Sequence, residues 1–497
     1  MIDRRAFLIA SGGACVATLG ACGPLDTLVG GFAPADARFL APESEPIDLV
    51  QHVLARCTFG PRPGDRAALL ALAPGDPRAA VEAWIERQLA PETRDDDAAE
   101  RAVRRFDSLS APVAELYEYK PRVLLRELTS AAVLRASASR RDLQQVLVEF
   151  WNDHFNVDSS KGECAWLCAA HDRDVIRAHA LGSFRDLLGA AALGPAMLWY
   201  LDGRVNVKRR SDERPNENYA RELLELHTLG VHGGYTQADV MEAARCLTGW
   251  TVRDKTGLRK ARVEFLADAH DDGEKSVLGE RFPAGGGERD ARQLLDLVAR
   301  HPSTARHVAR KLCVRFIADE PPPAAVAAVA RAFERSAGDL RATLRALFAL
   351  PEFRGDEHEF AALRGAKLKR PFHYLVSILR ATGAETDAGE ELCAYLARMG
   401  QAPFQHPTPD GPALEASAWQ GALFWRWKLA SAVASNRIEG TRVDLGALVS
   451  RAGGADALLA HFLGRRATSR ERRVLVADGA NSPELGLLLA APAFQRC

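Results

Sequence analysis

The chain has 497 residues, of which 47% are hydrophobic, so it is long enough to bury a sizeable core. Its 65 Lys and Arg residues balance its 65 Asp and Glu residues. A net charge of zero argues against nucleic-acid binding driven by phosphate neutralisation.

Residues 1–22 have the pattern of an export signal. Arg4-Arg5, followed by aromatic and aliphatic residues, is typical of the twin-arginine (Tat) pathway, and the apolar region after it is too short to span a bilayer comfortably. Leu19-Gly20-Ala21-Cys22 resembles a lipobox, so Cys22 is expected to carry a lipid. The alternative is an ordinary export signal in which Cys22 is incidental.

The N-terminal pattern predicts a Tat-exported lipoprotein at the periplasmic face of the cell envelope. Residues 23–45 are rich in Gly, Ala and Pro and are expected to form a tether between the lipid on Cys22 and the body. Tat substrates cross the membrane folded, and this favours a protein that acquires a metal or cofactor before export.

Helical patterns dominate residues 46–497, and strand-like alternation is scarce. We predict a mainly α fold, a single large multi-helix body with a small β-hairpin or irregular insertion near residues 251–278. No repeat of fixed period and no firm internal linker is visible. The predicted helices cover residues 47–59, 78–88, 122–136, 142–154, 172–193, 291–316, 323–350 and 363–381.

Two cysteines flank a tryptophan in Cys164-Ala165-Trp166-Leu167-Cys168. On a helix, Cys164, Cys168 and His171 fall on one stripe, and His154 lies close enough in sequence to contribute. Two thiolates with imidazoles suit copper or zinc, so we expect a metal site formed by these four residues. A protein-derived Cys–Trp redox cofactor centred on Trp166 is a second expectation. A local disulfide, or two buried thiols packed on Trp166, is the alternative without chemistry.

Residues 216–250 carry the densest group of polar side chains in the sequence. A helix over 217–229 places Glu222 and Glu225 on one face, where they would move protons or complete a metal shell, with His227 nearby. Arg221 would orient an anionic group. The alternative is a solvated helix face with internal ion pairs such as Glu217 with Arg221. Thr236 followed by Asp239 predicts the start of a second helix over residues 237–247.

Residues 251–287 are a candidate functional loop with a short strand at 262–265. His270 and Asp271 precede a Gly turn, where they are either ligands or an acid–base pair, or part of a surface turn. Gly285-Gly286-Gly287 is not a phosphate loop because no Lys-Ser or Lys-Thr follows it, so no nucleotide motif is present. No Gly-x-Ser-x-Gly elbow appears, which argues against a serine esterase.

Several segments together resemble a bacterial family known as domain of unknown function 1800. These segments are residues 52–65, 150–155, 175–182, 216–250, 270–275, 301–306 and 400–404. The resemblance covers most of the chain after about residue 45, and it implies no established reaction. Such families are often encoded beside a second exported family, so the resemblance also implies a partner protein.

The sequence favours an exported enzyme that depends on a metal or redox cofactor, with oxidoreductase chemistry preferred because of the sulfur and indole groups. The substrate would be a small molecule or an envelope component. A metal-dependent hydrolase and a non-catalytic surface-binding or assembly protein are the alternatives. The enzyme hypothesis requires the segments 164–171 and 217–232 to converge on a shared pocket.

Overall fold

A computed structural model describes residues 38–497 except 211, 254–259, 356–357, 478–479 and 481. The predicted signal and residues 23–37 of the predicted tether lie outside the described residues. The body is mainly α, as predicted, with three small two-stranded sheets in its described part. Nearly all of its buried apolar side chains form one continuous core.

The part of the body before residue 201 is a succession of helices. These are α1 (Leu49–Cys57), α2 (Asp65–Leu70), α3 (Pro77–Leu89), α4 (Asp97–Val103), α5 (Val113–Leu116), α6 (Pro121–Ala138), α7 (Asp142–His154), α8 (Cys164–Ala170), a first π-helix (His171–Arg177), α9 (Phe184–Ala192) and α10 (Pro195–Tyr200). Short 3₁₀ turns lie at Pro91–Thr93 and Asp107–Leu109.

The rest of the body is also helical. It contains α11 (Asn218–Glu222), a second π-helix (Leu223–Thr228), α12 (Gln237–Cys246), α13 (Glu288–Arg300), α14 (Pro302–Phe316), α15 (Pro323–Arg335), α16 (Leu340–Ala349), α17 (Pro351–Arg354), α18 (Pro371–Thr382), α19 (Glu390–Arg398), α20 (Leu423–Ala434), α21 (Leu445–Ala452), α22 (Ala455–Leu463), α23 (Ser469–Leu475) and α24 (Leu485–Ala490). Further 3₁₀ turns lie at Gly203–Val205, Ala267–Ala269, His358–Leu363 and Ala416–Ala422.

The strands form antiparallel pairs near the middle and the end of the chain. They are β1 (Trp250–Val252) with β2 (Val263–Phe265), β3 (Lys275–Val277) with β4 (Glu280–Phe282), and β5 (Glu385–Thr386) with β6 (Thr441–Arg442). Trp250 pairs with Phe265, and Lys275 pairs with Phe282. The single hairpin predicted near 251–278 is therefore two hairpins, and residues 254–259 of the first lie outside the described residues.

Three predicted long helices, over 172–193, 291–316 and 323–350, are each divided in two, and the helix predicted over 363–381 begins only at Pro371. The first of the three divides into the first π-helix and α9. Pro302 separates α13 from α14, since the residue before a proline avoids helical backbone angles. Ala337 and Gly338, with positive φ angles of 52° and 82°, separate α15 from α16. The predicted start of α12 is confirmed, because Thr236 and Asp239 form a reciprocal capping box.

Two buried arginines from distant parts of the chain meet Asp142 at the start of α7. Arg62 Nη2 lies 2.7 Å and Arg380 Nη1 lies 2.8 Å from the same Asp142 oxygen. Burial acts to raise the pKa of Asp142, but the two guanidinium groups outweigh burial and hold the pKa below its usual value. The charged carboxylate therefore fixes α7 against α18 and against the segment around Arg62.

Every residue from 151 to 156 has a polar or aromatic contact outside α7. Trp151 Nε1 donates to the carbonyl of Ala180 at 3.1 Å, and Asn152 Nδ2 donates to Asp172 at 2.8 Å. Asp153 pairs with Arg370, and Asn156 bonds to the loop 401–412. His154 contacts His227 and Lys311, and the ring of Phe155 contacts the ring of His227. This segment is where α7, α14, α18 and both π-helices meet.

None of the helices in the described part of the chain is long and apolar enough to cross a membrane.

Replacing Asp142 by Asn tests the buried ion-pair network. Removing one partner leaves two buried arginines short of a counter-charge, which should lower the free energy of unfolding by about 3–5 kcal/mol in urea titrations. Asp456→Asn is the matched control, because Asp456 pairs with Arg472 on the surface, and its cost should stay below about 1 kcal/mol. Equal costs for the two variants would contradict a dominant role for the buried network.

Candidate functional site

The Cys–Trp–Cys segment lies on α8 and packs into the core. Cys164 Sγ donates to the Ala196 carbonyl and Cys168 Sγ to the Val157 carbonyl, each at 3.8 Å, and no disulfide joins the cysteines of the described residues. Burial raises the pKa of the Cys164 thiol to about 12 and raises that of Cys168 well above its usual value. Both sulfurs therefore occupy the environment of buried, protonated thiols.

Trp166 is half-buried and is held by aromatic and polar contacts. Its ring stacks on Tyr117 with centroids 5.3 Å apart and planes 7° apart, and Nε1 donates to the Tyr119 carbonyl at 3.1 Å. The Tyr117 hydroxyl donates to Glu163 at 2.5 Å. The role of Trp166 in a protein-derived cofactor stays a prediction.

In the segment 216–250, some polar side chains lie at the surface and others are half-buried. The half-buried Glu222 and Glu225 form what we call the rim. Arg221 donates to Glu217 and to Gln237, each at 2.8 Å, in a pair that is about one-third exposed. This is the internal ion pair weighed as the alternative for this helix. Glu225 accepts a bond from the Tyr235 hydroxyl at 3.2 Å. Burial, Glu225 and Asp410 together raise the pKa of Glu222.

Both segments singled out from the sequence contain a π-helix. His171–Arg177 continues α8, and Leu223–Thr228 continues α11, where Leu229 N–H donates to Leu224 O five residues back. Short π-helices widen a helix by one residue and occur frequently at functional sites. Neither was foreseen, because an apolar spacing of three and four does not distinguish a π-turn from an α-turn.

The histidines of the two segments converge, whereas Cys164 and Arg221 do not join them. His154 Nε2 lies 3.1 Å from the His227 carbonyl, and the two rings have centroids 6.1 Å apart. His171 Nε2 lies 3.2 Å from the carbonyl of Phe155, whose ring contacts His227. Burial lowers the pKa of His171 to about 4 and that of His227 to about 3. These imidazoles are therefore neutral at physiological pH.

Lys311, on α14, contacts the cluster formed by His154, His171 and His227. Because His154 Nε2 faces a carbonyl and must carry the proton, its Nδ1 accepts from Lys311 Nζ at 2.9 Å. Burial lowers the pKa of Lys311 to about 8, against the opposing effect of Asp153. The ring of His307 lies 6.1 Å from that of His154. Neither Lys311 nor His307 was predicted as a site residue.

A cavity of about 60 Å³ lies beside this cluster, between α7, the first π-helix and the loop 401–412. We call it the chamber. Its walls contain carboxylates, amides, two imidazoles, a guanidinium and one thiol. The polar lining residues are Gln145, Glu149, Asn152, Asp153, Asn156, Cys168, His171, Asp172, Arg177, Gln401 and His406. Of the predicted site residues, Cys168 and His171 line the chamber.

Two carboxylates of the chamber share one arginine. Arg370 lies 2.6 Å from Asp153 and 2.7 Å from Glu149, and its side chain is 6% exposed. Burial raises the pKa of Asp153 to about 6, with Glu149 adding to the shift and Arg370 opposing it. Asp153 can therefore bind or release a proton near neutral pH, as a general acid or base requires.

Two buried polar atoms at the chamber have no hydrogen-bond partner among the described residues. They are Nδ1 of His171 and Oε2 of Glu149. Since His171 donates through Nε2 to a backbone carbonyl, its Nδ1 is an acceptor. Buried polar atoms are rarely left unpaired without a reason, and these two could be paired by a small polar ligand in the chamber.

The loop 401–412 closes the chamber and is fixed by the end of α7. Asn156 Nδ2 donates to the carbonyls of His406 and Thr408 at 2.9 and 2.8 Å, and Tyr200 donates to the carbonyl of Pro407. Phe404 has a positive φ of 61°, a conformation that costs energy for a residue with a side chain. A side chain at Gly411 would collide with the backbone of Asp153, so only glycine fits there.

Sequence reasoning missed most of the chamber, although one signal was present. Glu149, Asn152, Asp153 and Asn156 have the three-and-four spacing of one helix face, within a helix that is otherwise largely apolar. A polar stripe inside an apolar helix indicates a buried polar site. Arg370 and Gln401 carry no comparable signal, because only tertiary structure brings them to this face.

The other polar turn named from the sequence is a structural network. His270 Nδ1 lies 2.9 Å from the Thr248 carbonyl, and its Nε2 lies 3.2 Å from Asp290, which also accepts from Lys275 at 2.6 Å. Asp271 forms a two-pronged pair with Arg245 at 2.9 and 3.0 Å. His270 is buried, whereas Asp272 and Gly273, which follow it in the turn, are exposed.

In the described part of the chain, no group of three or more His, Cys, Asp or Glu side chains lies close enough together to hold a metal ion. His154, Cys164, Cys168 and His171 do not form a four-ligand set in this arrangement. The copper or zinc site stays a prediction.

The fold and the chamber define a mainly α protein with a polar cavity enclosed between helices and a loop. A family model described as "Protein of unknown function (DUF1800)" matches residues 52–496. The chain belongs to this family, which confirms the resemblance seen in its sequence. Searches of curated proteins and of solved structures found no match.

Thiol labelling tests the buried state of the Cys–Trp–Cys segment. Because both thiols are buried and their pKa is raised, iodoacetamide at pH 8 should leave Cys164 and Cys168 unmodified in the folded protein and modify both in urea. Ser469→Cys supplies an exposed thiol as a positive control. Peptide mass spectrometry would contradict the burial if Cys164 reacted as fast as the added thiol. Failure of both to react in urea would indicate a disulfide or a cross-link.

Proposed function

We propose that the protein is an enzyme of the cell envelope whose reaction takes place in the chamber, with Asp153 as the general acid or base. The observation that carries the proposal is the pair Asp153 and Glu149 held across one buried arginine, Arg370. Like-charged carboxylates forced together separate in proton affinity, which is a common arrangement for acid–base catalysis. Its export rests on the sequence of residues 1–22 and is part of the proposal.

The size and lining of the chamber limit the substrate. A cavity of about 60 Å³ admits a few water molecules or one polar group of a substrate, and it is far smaller than pockets for drug-sized ligands or nucleotides. Its polar walls suit a carbonyl, carboxyl, amide or hydroxyl group. A larger substrate would enter only in part, after the loop 401–412 moves.

Several polar groups in and beside the chamber then have distinct roles. Arg370 positions both carboxylates and opposes the rise in the pKa of Asp153. Asp153 exchanges the proton with the substrate, and Nδ1 of His171 accepts a hydrogen bond from the substrate. Asn152 and Gln401 act as positioning residues, since they bond to Asp172 and Glu149. The half-buried Glu222 and Glu225 lie outside the chamber lining, so they are assigned no proton transfer there.

A second candidate function, metal-dependent chemistry, is favoured by one observation. Cys168 and His171 both line the chamber and lie three residues apart, the spacing of neighbours on one helix face. A thiolate and an imidazole suit copper(I), which accepts few ligands. Binding would have to displace the proton that burial holds on Cys168. The oxidoreductase and metal-dependent hydrolase predicted from the sequence would both operate through such a site.

Asp153→Asn tests the acid–base proposal. Small carboxylic acids, amides, esters and polyols would be incubated with the protein, and products would be detected by mass spectrometry. For a substrate found in this way, kcat/KM should fall by about 100-fold or more in the variant. If Asp153 acts as a base it must be deprotonated, so kcat/KM of the natural protein should rise with pH through about 6, and this limb should vanish in the variant.

Glu225→Gln is the matched control, because Glu225 is a nearby carboxylate that does not line the chamber. Its kcat/KM should stay within about twofold of the natural protein, the range of a group without a catalytic role. Thermal unfolding would verify that both variants fold. Loss of activity in Glu225→Gln with full activity in Asp153→Asn would move the reaction to the rim formed by Glu222 and Glu225.

Metal binding is tested by loading the purified protein with copper(I) or zinc and measuring the metal retained after desalting. The chamber site predicts about one ion per chain in the natural protein. Cys168→Ser and His171→Ala should each abolish it, whereas Cys164→Ser should retain it because Cys164 does not line the chamber. Loss of the retained metal in both cysteine variants would favour a site at the Cys164–Cys168 pair predicted from the sequence. No retained metal would exclude this candidate.

A further inference from the structure

A groove of about 1700 Å³ lies in the C-terminal part of the molecule, formed by α20, α23, α24 and the segment 45–47. None of its lining residues lines the chamber. Apolar side chains dominate its floor, among them Ile47, Leu463, Leu475 and Leu485. The groove is therefore a separate surface that the proposed reaction does not use.

Large apolar side chains project into solvent along and beside this groove. Leu423, Phe424 and Trp427 are 44%, 57% and 56% exposed on one face of α20, and Val474 and Leu487 opposite are 63% and 54% exposed. These five residues account for most of the exposed large hydrophobic side chains in the described part of the chain. Large exposed apolar side chains grouped along and beside one groove mark a binding surface on a protein.

Cationic side chains border the same patch. The segment 465–473 contains five arginines and one glutamate. Arg465 is neutralised by Glu471 at 2.7 Å, whereas Arg466, Arg470 and Arg473 are exposed and have no carboxylate partner among the described residues. An apolar patch edged by guanidinium groups complements a membrane, which has an apolar interior and can have an anionic surface.

The chain enters the body beside this groove. The Phe39 ring contacts His461 with centroids 5.3 Å apart, and the Ser44 carbonyl accepts from the Arg466 N–H at 2.8 Å. Residues 23–37 separate this entry from Cys22, the predicted lipid site. A chain of that length reaches at most about 50 Å when fully extended. Lipidation of Cys22 would therefore keep the body within about 50 Å of the bilayer, with the groove beside the point where the tether enters.

We infer that this groove face docks on an anionic phospholipid bilayer. Leu423, Phe424 and Trp427 enter the interfacial region, where aromatic side chains are favoured, and Arg470 and Arg473 lie at the headgroup phosphates. The body is thus oriented on the membrane by its own surface, in addition to any lipid on Cys22. The inference does not depend on the reaction proposed for the chamber.

The test uses the chain from Gly23, which contains every described residue but lacks the predicted signal and its lipid. It is mixed with vesicles of phosphatidylcholine alone or of equal parts phosphatidylcholine and phosphatidylglycerol, and bound protein is separated by flotation. We expect binding to the anionic vesicles and much less to the neutral ones. Phe424→Ser with Trp427→Ser, and Arg470→Glu with Arg473→Glu, should each weaken binding by about tenfold or more.

Matched double variants elsewhere on the surface serve as controls. Val205→Ser with Val231→Ser removes exposed apolar side chains outside the groove, and Arg209→Glu with Arg210→Glu reverses a neighbouring pair of exposed arginines. Both should bind as the natural chain does, and thermal unfolding should verify the fold of all variants. Absence of binding to anionic vesicles, or equal binding by groove and control variants, would overturn the inference. A concentration-dependent dimer abolished by the groove variants would assign the face to a second copy instead.

Discussion

The structure depends on the neutralisation of buried arginines by the carboxylates of α7. Asp142 at the start of this helix pairs with Arg380, and Glu149 and Asp153 near its end pair with Arg370. The two arginines lie at opposite ends of α18, about 15 Å apart for a helix of that length, which matches the spacing of their partners on α7. Charged groups thus join the two helices at both ends, and removing one group would strand its partner in the core.

This constraint also explains why a polar cavity can exist inside a helical core. The ion pairs hold α7 and α18 in fixed register, while several side chains of α7 that line the chamber are polar. Asn152, Asn156 and Gln401 use their amides to bond to the first π-helix, the loop 401–412 and Glu149. The polar side chains that surround the chamber are therefore held in place by bonds to other parts of the core.

Much of the fold could be predicted from the sequence, because helices and their ends are local features. The limits of α7 and the capping box of α12 follow from apolar spacing and from Thr236 with Asp239. Two long predicted helices fail where the chain contains Pro302 or Gly338, and both residues were visible in the sequence. The π-helices could not be predicted from the sequence, since their extra residue is accommodated by packing rather than by composition.

The candidate site was predictable only in part. His154, His171 and His227 lie together, as the enzyme hypothesis required of the segments 164–171 and 217–232. Cys164 and Arg221 face other surroundings. The acidic and basic side chains at the chamber come from residues far apart in the chain, such as Asp153 and Arg370. No spacing rule relates residues separated by so long a stretch of sequence.

The burial of the cysteines bears on the order of folding and export. Cys57, Cys164, Cys168, Cys246, Cys313 and Cys497 are buried as free thiols. In an oxidising compartment, an unfolded chain with these thiols would be open to mispaired cross-links. A chain that folds first in a reducing cytoplasm places the sulfurs out of reach of any oxidant. The core itself would then preserve the reduced state across the membrane, which gives the predicted twin-arginine route a chemical reason.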